Sequence, residues 1–247
     1  MRIKIIACEV FARELMFAAA VSPQIVDLTL MPFGLHDTPE ELRKELQKEV
    51  DATPYERYDY VALGYGLCSR GTVGIRAGKI PLVIPRAHDC ITLLLGSRAR
   101  YSKEFSQHPG TYYYSPGWIE RKTGEVQQGI IDDAYEKRAQ ERFEEYARKY
   151  GEDNARFLIQ QESLWMKHYT RAAFIDTGLG NIEAYREFTK NLASERGWEY
   201  VEIRGDTCLL TRLASGDWNE KEFLIVRPGS SIQETYDGTI VREKIQE

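Results

Sequence analysis

Short β-branched runs alternate with helix-length segments along most of this chain, and that alternation limits the fold more than any other feature. Ile3 to Ala7, Ile25 to Leu30, Tyr58 to Gly64, Pro81 to Pro85, Ala172 to Asp176, Tyr200 to Ile203 and Phe223 to Val226 read as strands. Between them lie Glu9 to about Val21, a segment running to about Val50, Ile182 to Arg196, and short apolar stretches at Ile91 to Leu95 and Leu209 to Ser215, all of helical spacing. Thr38-Pro39-Glu40-Glu41 marks one helix start, with Thr at the N-cap, Pro at the first helical position and Glu at the third. Strands separated by helices pair in parallel, because a crossover is needed to bring the chain back in the same direction. The expected fold is therefore α/β, built from Rossmann-like parallel sheet units.

The alternation stops in the middle of the chain. Gly96 to about Ile131 is irregular and aromatic, most densely from Thr111 to Trp118. Asp132 to Tyr150 follows as a charged helix with many i,i+4 pairs of opposite sign, and Asn154 to Tyr169 as another helix. Three parts are expected: an N-terminal βα lobe over 1–98, an aromatic loop and helical insert over 99–170, and a C-terminal βα lobe over 171–247. Two lobes around a cleft, or one sheet carrying an insertion, fit this order equally. The Tyr112–Trp118 aromatics suit core packing of the insert, with a lid over the cleft as the alternative.

Composition removes several classes of function. With 247 residues and 43% hydrophobic residues the chain can bury a sizeable core. A formal net charge of −5, with no Lys/Arg block longer than two, argues against a nucleic-acid partner. No apolar run reaches the roughly 18–20 residues that span a bilayer, so no membrane partner is expected. Glu9, Arg13 and Glu14 interrupt what would otherwise pass for a signal peptide, which points to a cytoplasmic location. Four cysteines are too few for a disulfide scaffold.

Cysteine position says more than cysteine number. Cys8, Cys68 and Cys90 each fall at or just beyond the carboxyl end of an expected strand, where open α/β sheets bind their ligands. Sulfurs far apart in sequence can converge there, and a thiolate near a helix N-terminus suits metal ligation. Thiolate ligands favour Zn²⁺ or an iron–sulfur cluster (4Fe-4S) over magnesium or calcium. No paired zinc-ribbon spacing is present, and buried packing is the competing reading of each thiol. Cys208, leading into Leu209-Leu210, is assigned to packing. His88 and Asp89 stand beside Cys90 as a further ligand or an acid/base pair, against the plainer reading of a loop histidine bonded to backbone. His36, His108 and His168 have no partners in sequence and read as surface residues.

Gly64 and Gly66, like Gly178 and Gly180, sit between a strand and a helix, where backbone N–H groups can approach an anion. Neither pair completes a dinucleotide fingerprint. Arg86, with Arg70 and Arg76, could clamp a carboxylate or phosphate, and Asp176-Thr177 at a strand end is a further cofactor contact.

The stretches Gly64 to Gly71, Pro85 to Ser97, Gly110 to Trp118, Gly216-Asp217-Trp218 and Val226 to Gly229 resemble a family catalogued as domain of unknown function 1638, over most of the chain. The resemblance implies an anaerobic one-carbon context, near corrinoid-dependent methyltransferase systems, and carries no established activity. Three-cysteine sites at the ends of Rossmann-like units are similar in architecture, without a shared motif, to those of quinolinate synthase and the diphthamide-forming radical enzymes. The leading expectation is a metal-binding protein acting on a small-molecule substrate at a Cys8–Cys68–Cys90 site with an open position. The alternative is an accessory protein for corrinoid-dependent methyl transfer, binding a corrinoid or a methyltransferase protein without catalysis of its own.

Overall fold

The computed structural model describes residues 1–121, 133–164 and 168–245. Parts of the expected insert, at 122–132 and 165–167, lie outside the described residues. Along the first part of the chain run β1 (Arg2–Cys8), α1 (Ala12–Val21), β2 (Ile25–Met31), α2 (Pro39–Ala52), β3 (Tyr60–Gly64), β4 (Leu82–Pro85) and α3 (Cys90–Leu95). Then come α4 (Arg98–Gln107), β5 (Thr111–Tyr114), α5 (Pro116–Glu120), α6 (Asp133–Tyr150), α7 (Glu152–Leu164), β6 (Arg171–Asp176) and α8 (Ile182–Arg196). The chain closes with β7 (Glu199–Arg204), α9 (Cys208–Ser215), β8 (Phe223–Val226), β9 (Ser231–Glu234) and β10 (Val241–Lys244).

The main sheet has the order β2-β1-β3-β4-β8, parallel except for β8, which runs antiparallel to β4. Its central strands are covered on both faces. Ile5, Ile6, Ala7 and Cys8 are all buried, so β1 reads as a continuous apolar run rather than an alternating one. Leu42, Leu46 and Val50 form the buried stripe of α2 at intervals of four. Thr38 does stand at the N-cap of α2, but its hydroxyl makes no capping bond; Pro39 fixes the start instead. The α/β fold with parallel units is as the sequence implies. Among the described residues no helix is long and apolar enough to cross a membrane.

A second sheet, β5-β6-β7, is wholly parallel. Its strand β5 is the aromatic stretch that the sequence leaves irregular: Thr111 to Tyr114 pair with Arg171 to Phe174. Tyrosine fits a half-buried pleated surface, so the segment extends rather than loops. Tyr114 is fully buried and Trp118 nearly so, meeting edge-to-face at 4.9 Å, which makes this segment core packing. Residues 171–247 divide between the sheets. β6 and β7 stay with β5, whereas β8 joins β4 and α9 packs on α1 and β3. Contacts that tie the sheets together include Asp206 N–H donating to Leu94 O at 2.8 Å, Thr177 Oγ1 to Glu14 at 2.7 Å, and Arg13 Nε to Glu120 at 2.8 Å.

Candidate functional site

The chain leaves β1 for β2 on one side and then crosses to β3 on the other. That reversal makes the carboxyl ends of β1 and β3 the topological switch point, where an open α/β sheet leaves a crevice. Cys8 is the last residue of β1. Cys68 lies four residues past the end of β3, and Cys90 opens α3 just past β4. Three adjacent strands thus deliver their thiols to one edge.

The loops after β3 and β4 run side by side, with Leu67 N–H donating to Ala87 O at 2.8 Å and Cys68 N–H to His88 O at 2.9 Å. This approach needs Gly66, because a Cβ there would lie 2.8 Å from both Ala87 O and Asp89 N. Gly64 likewise faces Ala7 Cβ at a virtual 2.5 Å. Beyond Gly66 the backbone does something no residue type present prefers. Cys68, Ser69 and Arg70 are all left-handed, with φ of 45°, 54° and 70°. Each non-glycine residue in that region costs about 1–2 kcal/mol. Such strain persists only where surrounding structure over-determines it, and it clusters at functional sites.

The three thiols share one electrostatic environment. Burial pushes Cys8 up to about 12, against the Val10 N–H that faces its sulfur. Cys68 is raised by burial, then by the Asp89 charge and by Cys8; the Gly66 N–H opposes this. Cys90 is raised by burial, then by Asp89 and by both other thiols. Each of the three sulfurs therefore has a neighbouring backbone N–H, and Cys90 feels both of the others. Cys208 is separate: its thiol donates to Gly96 O, and its neighbours are Asp206, Glu222 and Arg212. The packing assignment suits it.

The neighbours of the thiols divide into anchors and free groups. Asp89 caps α3, accepting from Thr92 N–H at 3.0 Å, and its other oxygen accepts from Tyr101 Oη at 2.8 Å. It is a positioned helix cap rather than a free base. His88 is exposed; its carbonyl accepts from Cys68 N–H, while its imidazole bonds to none of the described residues. Arg86 gives Nε to Glu220 O and Phe223 O and Nη1 to Thr239 O and Val241 O, so it fastens the C-terminal hairpin instead of clamping an anion. Tyr65, between the two glycines, went unnoticed in the sequence. Its hydroxyl is buried against the Cys8 thiol. Among the described residues no group of three or more His, Cys, Asp or Glu could hold a metal ion as placed. The thiols converge without forming a ready-made ligand set.

Asp176 and Thr177 lie elsewhere, at the carboxyl ends of β6 and β7. With Gly178, Arg204, Asp206 and Thr207 they line a cavity of about 890 Å³. Asp176 Oδ1 accepts from Gly178 N–H at 2.8 Å, and Thr177 reaches across to Glu14. Glu14 is a second group the sequence did not signal. It is 1% exposed, its Oε2 has no partner, and burial raises its carboxyl above the usual range. The expected site residues thus fall into two places: the cysteines with Gly64, Gly66, His88 and Asp89 at one edge, Asp176 and Thr177 at the other.

No curated protein and no solved structure matches this chain. A family model described as "Protein of unknown function (DUF1638)" matches residues 30–214, a span that holds Cys68, Cys90, the second sheet and the left-handed turn. The chain belongs to that family.

Proposed function

We propose that Cys8, Cys68 and Cys90 bind a thiophilic metal, as Zn²⁺ or an iron–sulfur cluster, and that a small-molecule substrate takes the position they leave open. The observation that carries the reading is the placement of three cysteines at the ends of adjacent strands by the switch point, one of them on a strained left-handed turn. The donor type suits a soft metal, since thiolates favour Zn²⁺ or iron–sulfur; as placed, the described residues do not themselves form a group of three that could hold an ion, so binding would draw the three loops together. Buried thiols without a cation stay protonated and are poor nucleophiles, which disfavours metal-free covalent chemistry. A bound metal would ionise the thiols and supply Lewis-acid or redox chemistry.

The chain's own residues would do the rest. Gly66 and the turn at 68–70 hold the Cys68 loop against the Cys90 loop, and Asp89 with Tyr101 fixes the start of α3. Tyr65 would hold its hydroxyl beside the Cys8 sulfur. An anaerobic one-carbon substrate is part of the same proposal, on family context alone.

The test is metal analysis and absorption spectroscopy of anaerobically purified protein, alongside four single Cys→Ala variants. Expected are a metal-to-chain ratio that drops sharply in Cys8→Ala, Cys68→Ala and Cys90→Ala and holds in Cys208→Ala. The same ratio in all five proteins, or no metal in any, overturns the proposal and leaves the accessory-protein reading.

A further inference from the structure

Helix α1 is built inside out. Its sequence, ARELMFAAAV, carries charge only at Arg13 and Glu14, and Glu14 is the one turned into the core. Met16, Phe17 and Val21 face outward at 53%, 52% and 58% exposure, with Ala20 exposed between them. These positions form one stripe along the helix. A helix that is apolar all round is covered on all sides in a finished structure, and here one side is bare. The bare side continues into Ile25 (59%) and Met1 (50%), and no charged residue occurs from Leu15 to Val26. In a chain with 29% charged residues that gap is unusual.

The stripe lies over an open sheet edge. β2 is the outer strand of the main sheet and, among the described residues, pairs only with β1, through seven residues from Ile25 to Met31. The opposite flank of α1 is taken by α9, so its bare flank is the one above β2. A long edge strand with one charged residue, no Pro and no bulge is a template for another strand, and proteins normally blunt such edges. The other large exposed apolar side chains among the described residues, such as Tyr55, Phe157 and Tyr236, are scattered over separate elements.

We infer that this face is an isologous interface with a second copy of the chain, made by antiparallel β2–β2 pairing. A two-fold axis perpendicular to the sheet lets β2 be its own partner and keeps α1 of each copy on the same face, stripe against stripe. One operation therefore satisfies both the unpaired backbone and the uncovered helix. Charge agrees, since the side chains of the stripe are uncharged and meet themselves without repulsion; the nearby charges are already engaged, the Met1 ammonium with Gln24 and Asp27 with Arg2. The sheet becomes continuous through ten strands, and the two thiol edges point in opposite directions. The inference is independent of any metal.

The solution mass of the 28.5 kDa chain tests it, by sedimentation or light scattering across a dilution series. Expected are a mass of two chains for the wild type and one for Phe17→Glu/Val21→Glu with unchanged circular dichroism. Phe157→Glu, at an isolated exposed site, should keep the two-chain mass. A wild type that is monomeric throughout, or a double variant still dimeric, overturns the inference. Should the double variant fail to fold, hydrogen exchange on the wild type decides: full-length protection of β2 amides supports pairing, and exchange at the outward-facing amides overturns it.

Discussion

At the carboxyl edge of the main sheet, Cys8, Cys68 and Cys90 sit between loops so close that a single methyl group would collide with backbone. At the edge of the second sheet, Asp176, Arg204 and Asp206 stand around a wide cavity, and Gly178 has nothing within 4 Å of where its Cβ would be. The two edges share a parallel topology and the same strand-to-helix loops. They differ in depth, and depth decides the chemistry. Where loops close on each other, desolvation raises the Cys8, Cys68 and Cys90 thiols, and the turn that carries Cys68 is left-handed. Where they stay open, charges pair across the surface, as Arg186 does with Glu202 at 2.7 Å and Asp176 at 3.7 Å. A strand end is thus only a location; what is packed against it makes it a soft-ligand site or a polar one.

The largest effect should come from adding one methyl group to each edge. Gly66→Ala must push apart two backbones, and overpacking of a rigid neighbour typically costs about 1–3 kcal/mol, occasionally more. Gly178→Ala meets no atoms and suffers only from its φ of +75°, on the order of 1 kcal/mol. Denaturant midpoints of the two variants measure the contrast. Equal losses would show that the edges are packed alike and that depth is not the distinction.

The same contrast explains what could be read in the sequence. Seven strands and the parallel architecture follow from apolar runs, because burial on both faces leaves a signature in composition. β5 was not legible: Thr111-Tyr112-Tyr113-Tyr114 has no alternation, and its partner begins 60 residues later at Arg171. The four-residue strands β9 and β10 are too short to stand out from a tail. Cys8, Cys68 and Cys90 were legible as a group because strand ends share an edge. The left-handed run was not, since Cys, Ser and Arg give no local reason for positive φ. Neither was Glu14, because a glutamate on an amphipathic stretch defaults to solvent. Asp176 and Thr177 were found by the same strand-end rule as the cysteines, which marks an edge without saying which edge.

Glu14 gives the next effect. Burial raises its folded-state pKa above the ordinary value of 4.5, so between 4.5 and that raised value the folded chain holds more proton than the unfolded one. Stability then falls as pH rises through the window. In Glu14→Gln this contribution is absent, and the stability–pH curve should be flatter from about 4.5 upward, leaving the variant the more stable of the two at neutral pH. Thermal midpoints across that range check it. Parallel curves for the two proteins would mean that the carboxyl is not desolvated, and the junction between the sheets would then belong with the open edge.

The smallest effect should come from the best-looking ion pair. Arg13 Nε donates to both oxygens of Glu120 at 2.8 Å, and Glu120 also accepts from Tyr185 Oη, so α1, α5 and α8 meet in one cluster. The pair spans the two sheet regions and lowers the Glu120 carboxyl pKa. Yet the Arg13 side chain is 42% exposed, and water screens most of the attraction. Arg13→Ala should cost no more than about 1 kcal/mol, and the difference from wild type should shrink as salt is added. A depressed carboxylate stabilises above its ordinary pKa and loses that contribution as pH falls, so the variant should also converge on wild type in acid. A loss of several kcal/mol that salt does not reduce would place this pair in a dry interface. The regions would then be joined by charge as well as by the Glu14–Thr177 and Asp206–Leu94 contacts, and the polar edge would be deeper than its exposed residues indicate.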